Sequence, residues 1–148
     1  HGPDGDSNNS PDNATWRITQ LHRKIERHRD EIVLTKTFDA EDAEVLLIAF
    51  GATTRASRAA ALELRKKGVK AGVLQLVTLW PFADKEVARY GSRARTVVVT
   101  EMNYSGQMAG EVRKVLGCGA DVRQVNSWNG QIITPQQILK GIPSGEGV

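Results

Sequence analysis

The sequence of 148 residues is poor in the side chains that most catalytic and metal centres use. Its single cysteine, Cys118, excludes an intrachain disulfide, an all-cysteine zinc site and an iron–sulfur cluster held by this chain alone. All three histidines lie at or before residue 28. The rest of the chain therefore has no imidazole base, which argues against Ser-His-Asp chemistry, Cys-His chemistry and most zinc enzymes.

Long apolar runs and clusters of one charge are also lacking. The longest apolar run, Val45–Phe50, is far shorter than a membrane-spanning helix requires. The net charge is only +3, and basic residues are interleaved with acidic ones, whereas nucleic-acid surfaces carry clustered basic residues. We therefore predict neither a membrane nor a nucleic-acid partner. The first residue is His and no signal-peptide pattern follows, so we interpret the sequence as part of a longer cytoplasmic polypeptide.

Composition divides the chain into four segments. Residues 1–13 are almost all Gly, Pro, Asp, Ser and Asn, which predicts a disordered lead-in or linker. Residues 14–34 are predicted as a connecting helix, because Ile18, Leu21 and Ile25 recur at spacings of three and four. Residues 35–142 form the predicted domain, and residues 143–148 a tail.

The predicted domain alternates strands with helices. Strands are predicted at residues 45–50, within 69–79, at 95–101 and at 121–126. Helices are predicted to open at Thr53 or Thr54 as the capping residue, near Asp84, near Gln107 and at Thr134. This alternation with short connections predicts an α/β fold with a mostly parallel sheet covered on both faces, a three-layer α/β/α architecture.

Ligands of such sheets approach the carboxyl ends of the strands, which directs attention to the turn after residues 45–50. Gly51, Thr53, Thr54 and Arg55 open a helix there, and backbone N–H groups at a helix N-terminus favour an anion such as phosphate or carboxylate. The turn lacks the Gly-Lys-Ser/Thr of a P-loop, so plain strand-to-helix turn geometry explains it as well. Both interpretations stay open.

Four further residues are candidates for an interface. Glu101 is an acid at the carboxyl end of an apolar strand, where it could accept hydrogen bonds from loop N–H groups, pair across an interface or act as a base, and Asn103 follows it. Trp80 and Phe82 flank Pro81 in an apolar corner that could pack on the domain's own core or anchor another domain. No complete catalytic constellation is present, so we assign no catalytic residue and no metal ligand.

Several stretches, taken together, resemble a known family. They are VLLIAFGATTRAS at residues 45–57, KGVKAGVLQLVTLWPF at 67–82, VVVTEMNYSGQMAGEV at 97–112 and ITPQQIL at 133–139. Their order resembles the C-terminal, transketolase-C-like domain of the alpha subunit of 2-oxoacid:ferredoxin oxidoreductases, with the 2-oxoglutarate branch most similar. The resemblance covers roughly residues 14–142.

The resemblance implies a catalytically incomplete part of an enzyme. Such enzymes convert a 2-oxoacid and coenzyme A to acyl-CoA and carbon dioxide and pass two electrons to ferredoxin. They use thiamine diphosphate, Mg²⁺ and a [4Fe–4S] cluster on the beta subunit. The implied partners are the beta subunit and the rest of the same alpha subunit, ferredoxin through the holoenzyme, and a second copy in a homodimer. This chain lacks the family's GDG…N motif, so the resemblance implies no cofactor bound by this segment alone.

Two other classes of function remain open at this stage. One is the C-terminal domain of a transketolase or of a dehydrogenase beta chain, which is similar in fold. The other is a stand-alone anion-binding module that uses Gly51, Thr53, Thr54 and Arg55.

Overall fold

The computed structural model describes residue 2 and residues 5–142, and the predicted tail at 143–148 lies outside the described residues. The helices are α1 (Pro11–Arg27), α2 (Arg29–Ile32), α3 (Thr53–Lys66), α4 (Asp84–Gly91), α5 (Gln107–Leu116) and α6 (Pro135–Lys140). The strands are β1 (Thr35–Phe38), β2 (Val45–Phe50), β3 (Ala71–Leu76), β4 (Thr96–Glu101) and β5 (Val122–Asn126). The alternation predicted from the sequence is confirmed between β2 and α6.

The strands form one five-stranded sheet in the order β1-β3-β2-β4-β5. Strands β2 to β5 are parallel, and β1 pairs antiparallel with β3 at one edge. From the central strand β2 the chain passes first to β3 on one side, and later from β3 to β4 on the other. The order of connection therefore reverses between β2 and β4, which is the place where open α/β sheets form crevices.

Helices cover both faces of the sheet. Successive side chains of a strand point to opposite faces. Accordingly, Leu46, Ile48 and Leu74 pack with α4 and α5, whereas Leu47 and Val73 pack with α3 and α6. Burying each such side chain stabilises the fold by about 1.5–3 kcal/mol relative to exposure. The continuous apolar run of β2 is thus explained by burial on both faces, and the predicted α/β/α layers are confirmed.

The connecting helix differs from the prediction at both ends. It begins at Pro11 rather than near residue 14, because the Ser10 hydroxyl accepts a hydrogen bond from the Asn13 N–H and proline suits the first helical turn. It is also interrupted at His28, after which the short helix α2 runs to Ile32. Residues 5–10 belong to no helix or strand, and their disorder stays a prediction.

Strand β1 was not predicted, since four residues with only two half-buried side chains give a weak sequence pattern. Its turn into β2 passes over Gly72 of β3, where an added Cβ would collide with the backbone of Asp39 and Ala40. The edge strand therefore depends on a glycine three elements away in the chain.

Candidate functional site

We define the carboxyl edge as the edge of the sheet where the parallel strands end. It consists of residues 51–52 after β2, 77–83 after β3, 102–106 after β4 and 127–134 after β5. Leu34 joins it, since its carbonyl accepts from the N–H groups of Val77 and Thr78. Every residue predicted as a site candidate lies in these loops or within a few residues of them.

Glu101 is the best-connected polar side chain at this edge. It is 0% exposed, and its two carboxylate oxygens accept hydrogen bonds from the backbone N–H groups of Met108 and Ala109, each at 2.8 Å. The Asn103 side-chain amide donates to Oε2 at 2.7 Å, and Asn103 Oδ1 accepts from the Gly106 N–H at 2.7 Å. The carboxylate therefore satisfies the free N–H groups at the start of α5. The prediction of Glu101 as an interface residue is corrected, because its side chain is fully buried within this chain.

The turn Gly51 to Arg55 is built differently from the predicted cap. Helix α3 begins at Thr53, its N-cap residue is Ala52, and no side chain caps it. The Thr53 hydroxyl instead lies 2.9 Å from the Phe50 carbonyl oxygen and 3.1 Å from that of Thr100, which ties the helix start to β4. The prediction that Thr53 or Thr54 caps this helix is therefore wrong.

The same burial limits anion binding at this turn. Thr53 and Thr54 are both buried, whereas Gly51 and Arg55 are exposed. Gly51 has φ +54°, a left-handed conformation that favours glycine, which supports the turn-geometry interpretation. Of the four predicted residues, only Arg55 presents a polar side chain to a ligand.

Trp80 and Phe82 separate in the structure. Phe82 is half-buried and packs against the core on the α4 and α5 face. Trp80 is 67% exposed and borders a shallow depression beside Leu21, Lys24 and Ile25 of α1. Packing of Trp80 onto the domain's own core, one of the two interpretations, is therefore wrong.

Trp128, which the sequence analysis missed, and Tyr104 are further exposed aromatic side chains of this edge. The rings of Tyr104 and Trp128 meet edge to face with centroids 5.0 Å apart, yet Tyr104 is 75% and Trp128 63% exposed. In the same loop as Trp128, Ile132 is 65% exposed and lines an open cleft of about 590 Å³ with Arg55 and Pro135. A sequence signal was present, since these loops contain apolar residues with no charged ones among them.

Several charged side chains pair away from these loops, whereas Arg29 donates to the Phe82 carbonyl oxygen within them and pairs with Asp84 directly after them. At the opposite edge of the sheet, where the parallel strands begin, Arg65 donates a hydrogen bond to Asp42. This bond from the guanidinium lowers the pKa of Asp42 below its ordinary value of 3.8. At the base of α1, Lys85 pairs with Asp30 at 2.7 Å and lowers the pKa of that carboxyl in the same way. Within residues 5–142, no three His, Cys, Asp or Glu side chains converge as a metal site would require.

Residues 43–138 match the family described as pyruvate:ferredoxin oxidoreductase core domain II, which is more than half of the chain. The chain belongs to this family. The resemblance inferred from the sequence motifs is thereby confirmed, and so is the assignment of the chain to an oxidoreductase family.

Relatives of this core domain II include a 2-oxoglutarate synthase subunit KorA from Methanothermobacter thermautotrophicus. The two are 36% identical over 133 residues, which is 90% of this chain and 35% of the relative. The chain therefore spans about a third of the length of the curated relatives that it matches.

Two solved structures are similar to this core domain II. The 2-oxoglutarate:ferredoxin oxidoreductase of Magnetococcus marinus, solved with 2-oxoglutarate, coenzyme A and succinyl-CoA bound, superposes with a TM-score of 0.81 and 25% identity. The superposition covers 95% of this chain and 24% of that one. A split-gene transketolase superposes over 73% of this chain with a TM-score of 0.62 and 19% identity, which shows the shared transketolase-like fold.

Proposed function

We propose that this chain is the C-terminal structural and assembly domain of the alpha subunit of a 2-oxoacid:ferredoxin oxidoreductase, with 2-oxoglutarate as the 2-oxoacid. The observation that carries the proposal is the match to 2-oxoglutarate synthase subunits over 90% of the chain. The superposition on the Magnetococcus marinus enzyme, which has 2-oxoglutarate and coenzyme A bound, supports the same substrate.

The reaction proposed for the holoenzyme is an oxidative decarboxylation. The bond between the keto carbon of 2-oxoglutarate and the adjacent carboxylate carbon breaks, and carbon dioxide leaves. The coenzyme A sulfur bonds to the remaining acyl carbon and releases its proton. The two electrons removed in this step reduce ferredoxin, one electron at a time.

The residues of this chain do not fit the cofactors of that reaction. A [4Fe–4S] cluster requires several thiolates, and the chain has one cysteine, Cys118, which lies exposed in a turn. The Mg²⁺ that accompanies thiamine diphosphate requires oxygen ligands that converge. Within residues 5–142, however, the buried carboxylate Glu101 is already used by the start of α5. We therefore route no step of the reaction through this domain.

The role that remains for the domain is to hold other parts of the enzyme together. Its buried polar groups are structural: Glu101 holds α5, and the Ser57 hydroxyl, 2.9 Å from that of Thr100, holds α3 against β4. Its exposed aromatic side chains have no such internal role. We propose that Trp80, Asn103 and Arg55 contact the rest of the alpha subunit or the beta subunit that carries the cluster.

The experiment uses the full-length protein purified with the partners that accompany it. We expect reduction of a viologen dye that depends on both 2-oxoglutarate and coenzyme A, together with an iron–sulfur subunit in the same complex. Omission of coenzyme A and replacement of 2-oxoglutarate by pyruvate are the controls. A single-subunit protein that transfers two-carbon units between sugars, without coenzyme A, would contradict the proposal and favour a transketolase.

A further inference from the structure

The carboxyl edge contains no charged residue. The loops after β2, β3, β4 and β5 read GA, VTLWPFA, MNYSG and SWNGQIIT, without a single Lys, Arg, Asp or Glu. Charged residues make up 25% of the chain, so these loops differ strongly from the rest of it.

The opposite edge provides the internal comparison. Its loops connect the other ends of the same strands and contain DAEDAE at residues 39–44, KGVK at 67–70 and SRAR at 92–95. These charges pair with one another, for example Lys70 with Glu44 at 3.6 Å. The two edges belong to the same strands, so the difference in charge distinguishes the two ends of one sheet.

The neutral loops also expose large apolar side chains. Trp80, Tyr104, Trp128 and Ile132 are each between 63% and 75% exposed. Tyr104 and Trp128 are in contact, and the centres of protein interfaces are depleted in charge and enriched in Tyr, Trp and Met. The amide side chains of these loops are neutral and bond within the chain, Asn103 to Glu101 and Asn129 to Gln131.

The path of the chain indicates what covers this edge. Helix α1 buries no residue against the domain, and Trp80 of the carboxyl edge lies beside its residues Leu21 and Ile25. Helix α1 therefore reaches the carboxyl edge through its C-terminal half. In the solved relative with a TM-score of 0.81, three quarters of the chain lies outside the superposed part.

We infer that the carboxyl edge is the surface on which the remaining part of the same subunit docks, and that Tyr104 and Trp128 are its central anchors. This inference rests on the proposed function, since it needs the longer alpha subunit. We expect the docked surface to be mainly uncharged and apolar, because the side chains of these loops offer a charged group no ionic partner. Docking would also place the crevice between β2 and β4 inside the assembled subunit.

The test compares the two tyrosines of the chain in the assembled full-length enzyme. Hydroxyl-radical oxidation is measured by mass spectrometry and normalised to the same peptides in the unfolded protein. Tyr90 is buried within the domain and serves as the internal control. We expect Tyr104 and Trp128 to be as protected as Tyr90. Oxidation of Tyr104 at the rate of a side chain three-quarters exposed would overturn the inference.

A cross-link identifies the occupant. Trp128 is replaced by the photoreactive residue p-benzoylphenylalanine, and Leu62, exposed on the outer face of α3, receives the same replacement as the matched control. We expect an adduct at position 128 within the same polypeptide, without a change of subunit mass, and none at position 62. An adduct that doubles the subunit mass, or joins it to a different subunit, would reject the proposed occupant.

The same preparation is assayed for viologen reduction with 2-oxoglutarate and coenzyme A. An active enzyme whose carboxyl edge is accessible rejects this inference and leaves the proposed function in place. An inactive full-length protein with a protected edge rejects the proposed function and retains the docking surface.

Discussion

Glu101 illustrates how a residue placed at a sheet edge can act entirely inside the fold. Both of its oxygens accept from N–H groups at the start of α5, and no solvent competes for them. A negative charge at a helix N-terminus is favoured by the helix dipole as well. The side chain therefore joins β4 to α5 and shapes the loop that presents Tyr104.

Glu101→Gln tests this role at constant shape. A glutamine has one acceptor oxygen, so either the Met108 or the Ala109 N–H would face an NH₂ group. We expect a loss of about 1–3 kcal/mol in the free energy of unfolding, measured with urea. Glu111→Gln on the exposed side of the same helix is the matched control and should change stability by less than about 0.5 kcal/mol. Equal losses in both variants would contradict the buried network.

Trp80 offers the opposite case, a large aromatic residue that contributes little to the domain itself. Because it is 67% exposed, we expect Trp80→Ala to lower the free energy of unfolding of this chain by less than about 1 kcal/mol. Leu74→Ala, which empties a buried position of β3, should cost about 2–5 kcal/mol. A loss of about 3–5 kcal/mol for Trp80→Ala would place the ring in the core.

Asp42 makes a small contribution to the free energy of unfolding, and this contribution is lost at acidic pH. Its folded pKa lies below the ordinary value of 3.8, mainly through the hydrogen bond from Arg65, so the folded chain binds fewer protons than the unfolded chain near this pH. The contribution is therefore complete above about pH 4–5 and is lost as the pH falls through the folded pKa.

In urea titrations across this range, we expect Asp42→Asn to be less stable than the natural chain at pH 6 and equal to it at the acid end. Asp12→Asn, at an exposed position of α1, is the control. A difference between Asp42→Asn and the natural chain that persists unchanged at low pH would show that the ion pair is not its cause.

At the scale of elements, α1 stands apart from the helices that cover the sheet. No residue of α1 is buried, whereas α3 buries seven residues against the sheet and α6. The break at His28 separates α1 from α2, which is held to the domain by the Arg29–Asp84 and Lys85–Asp30 ion pairs. The helix is thus attached at its base and beside Trp80.

Hydrogen exchange measures this difference directly. We expect the backbone amides of α1 to exchange at least about tenfold faster than those of α3 in the same chain, since exchange follows local opening. Amides of α1 that exchange as slowly as those of α3 would indicate packing that its exposed side chains do not suggest. The α3 amides serve as the reference within each sample.

At the scale of the whole molecule, a complete fold coexists with an incomplete enzyme. The sheet and the helices that cover its two faces are formed by residues between Thr35 and Lys140. The chain, however, spans only about a third of its relatives' length. We expect calorimetric titration of this chain with thiamine diphosphate and Mg²⁺ to give no binding heat, and the chain to oxidise no 2-oxoacid. The full-length complex is the positive control. Tight binding of thiamine diphosphate by this chain would contradict its assignment as an assembly domain.

The sequence by itself determined the buried parallel strands and the class of fold, because burial on both faces requires uninterrupted apolar runs such as Val45–Phe50 and Val97–Val99. It also determined the exclusion of an iron–sulfur cluster held here, which follows from a residue count. Its motifs predicted the family, since the order of several stretches is more specific than any one of them.

Only the tertiary structure decided which of the candidate side chains are exposed to solvent. Glu101 and Trp80 both follow apolar strands, yet one is buried by the start of α5 and the other is left exposed beside α1. Local sequence cannot distinguish them, because the burial of a side chain depends on segments that are distant in the sequence. The neutral carboxyl edge has the same origin: each uncharged loop is unremarkable alone, and the pattern emerges when parallel strands bring the four loops together.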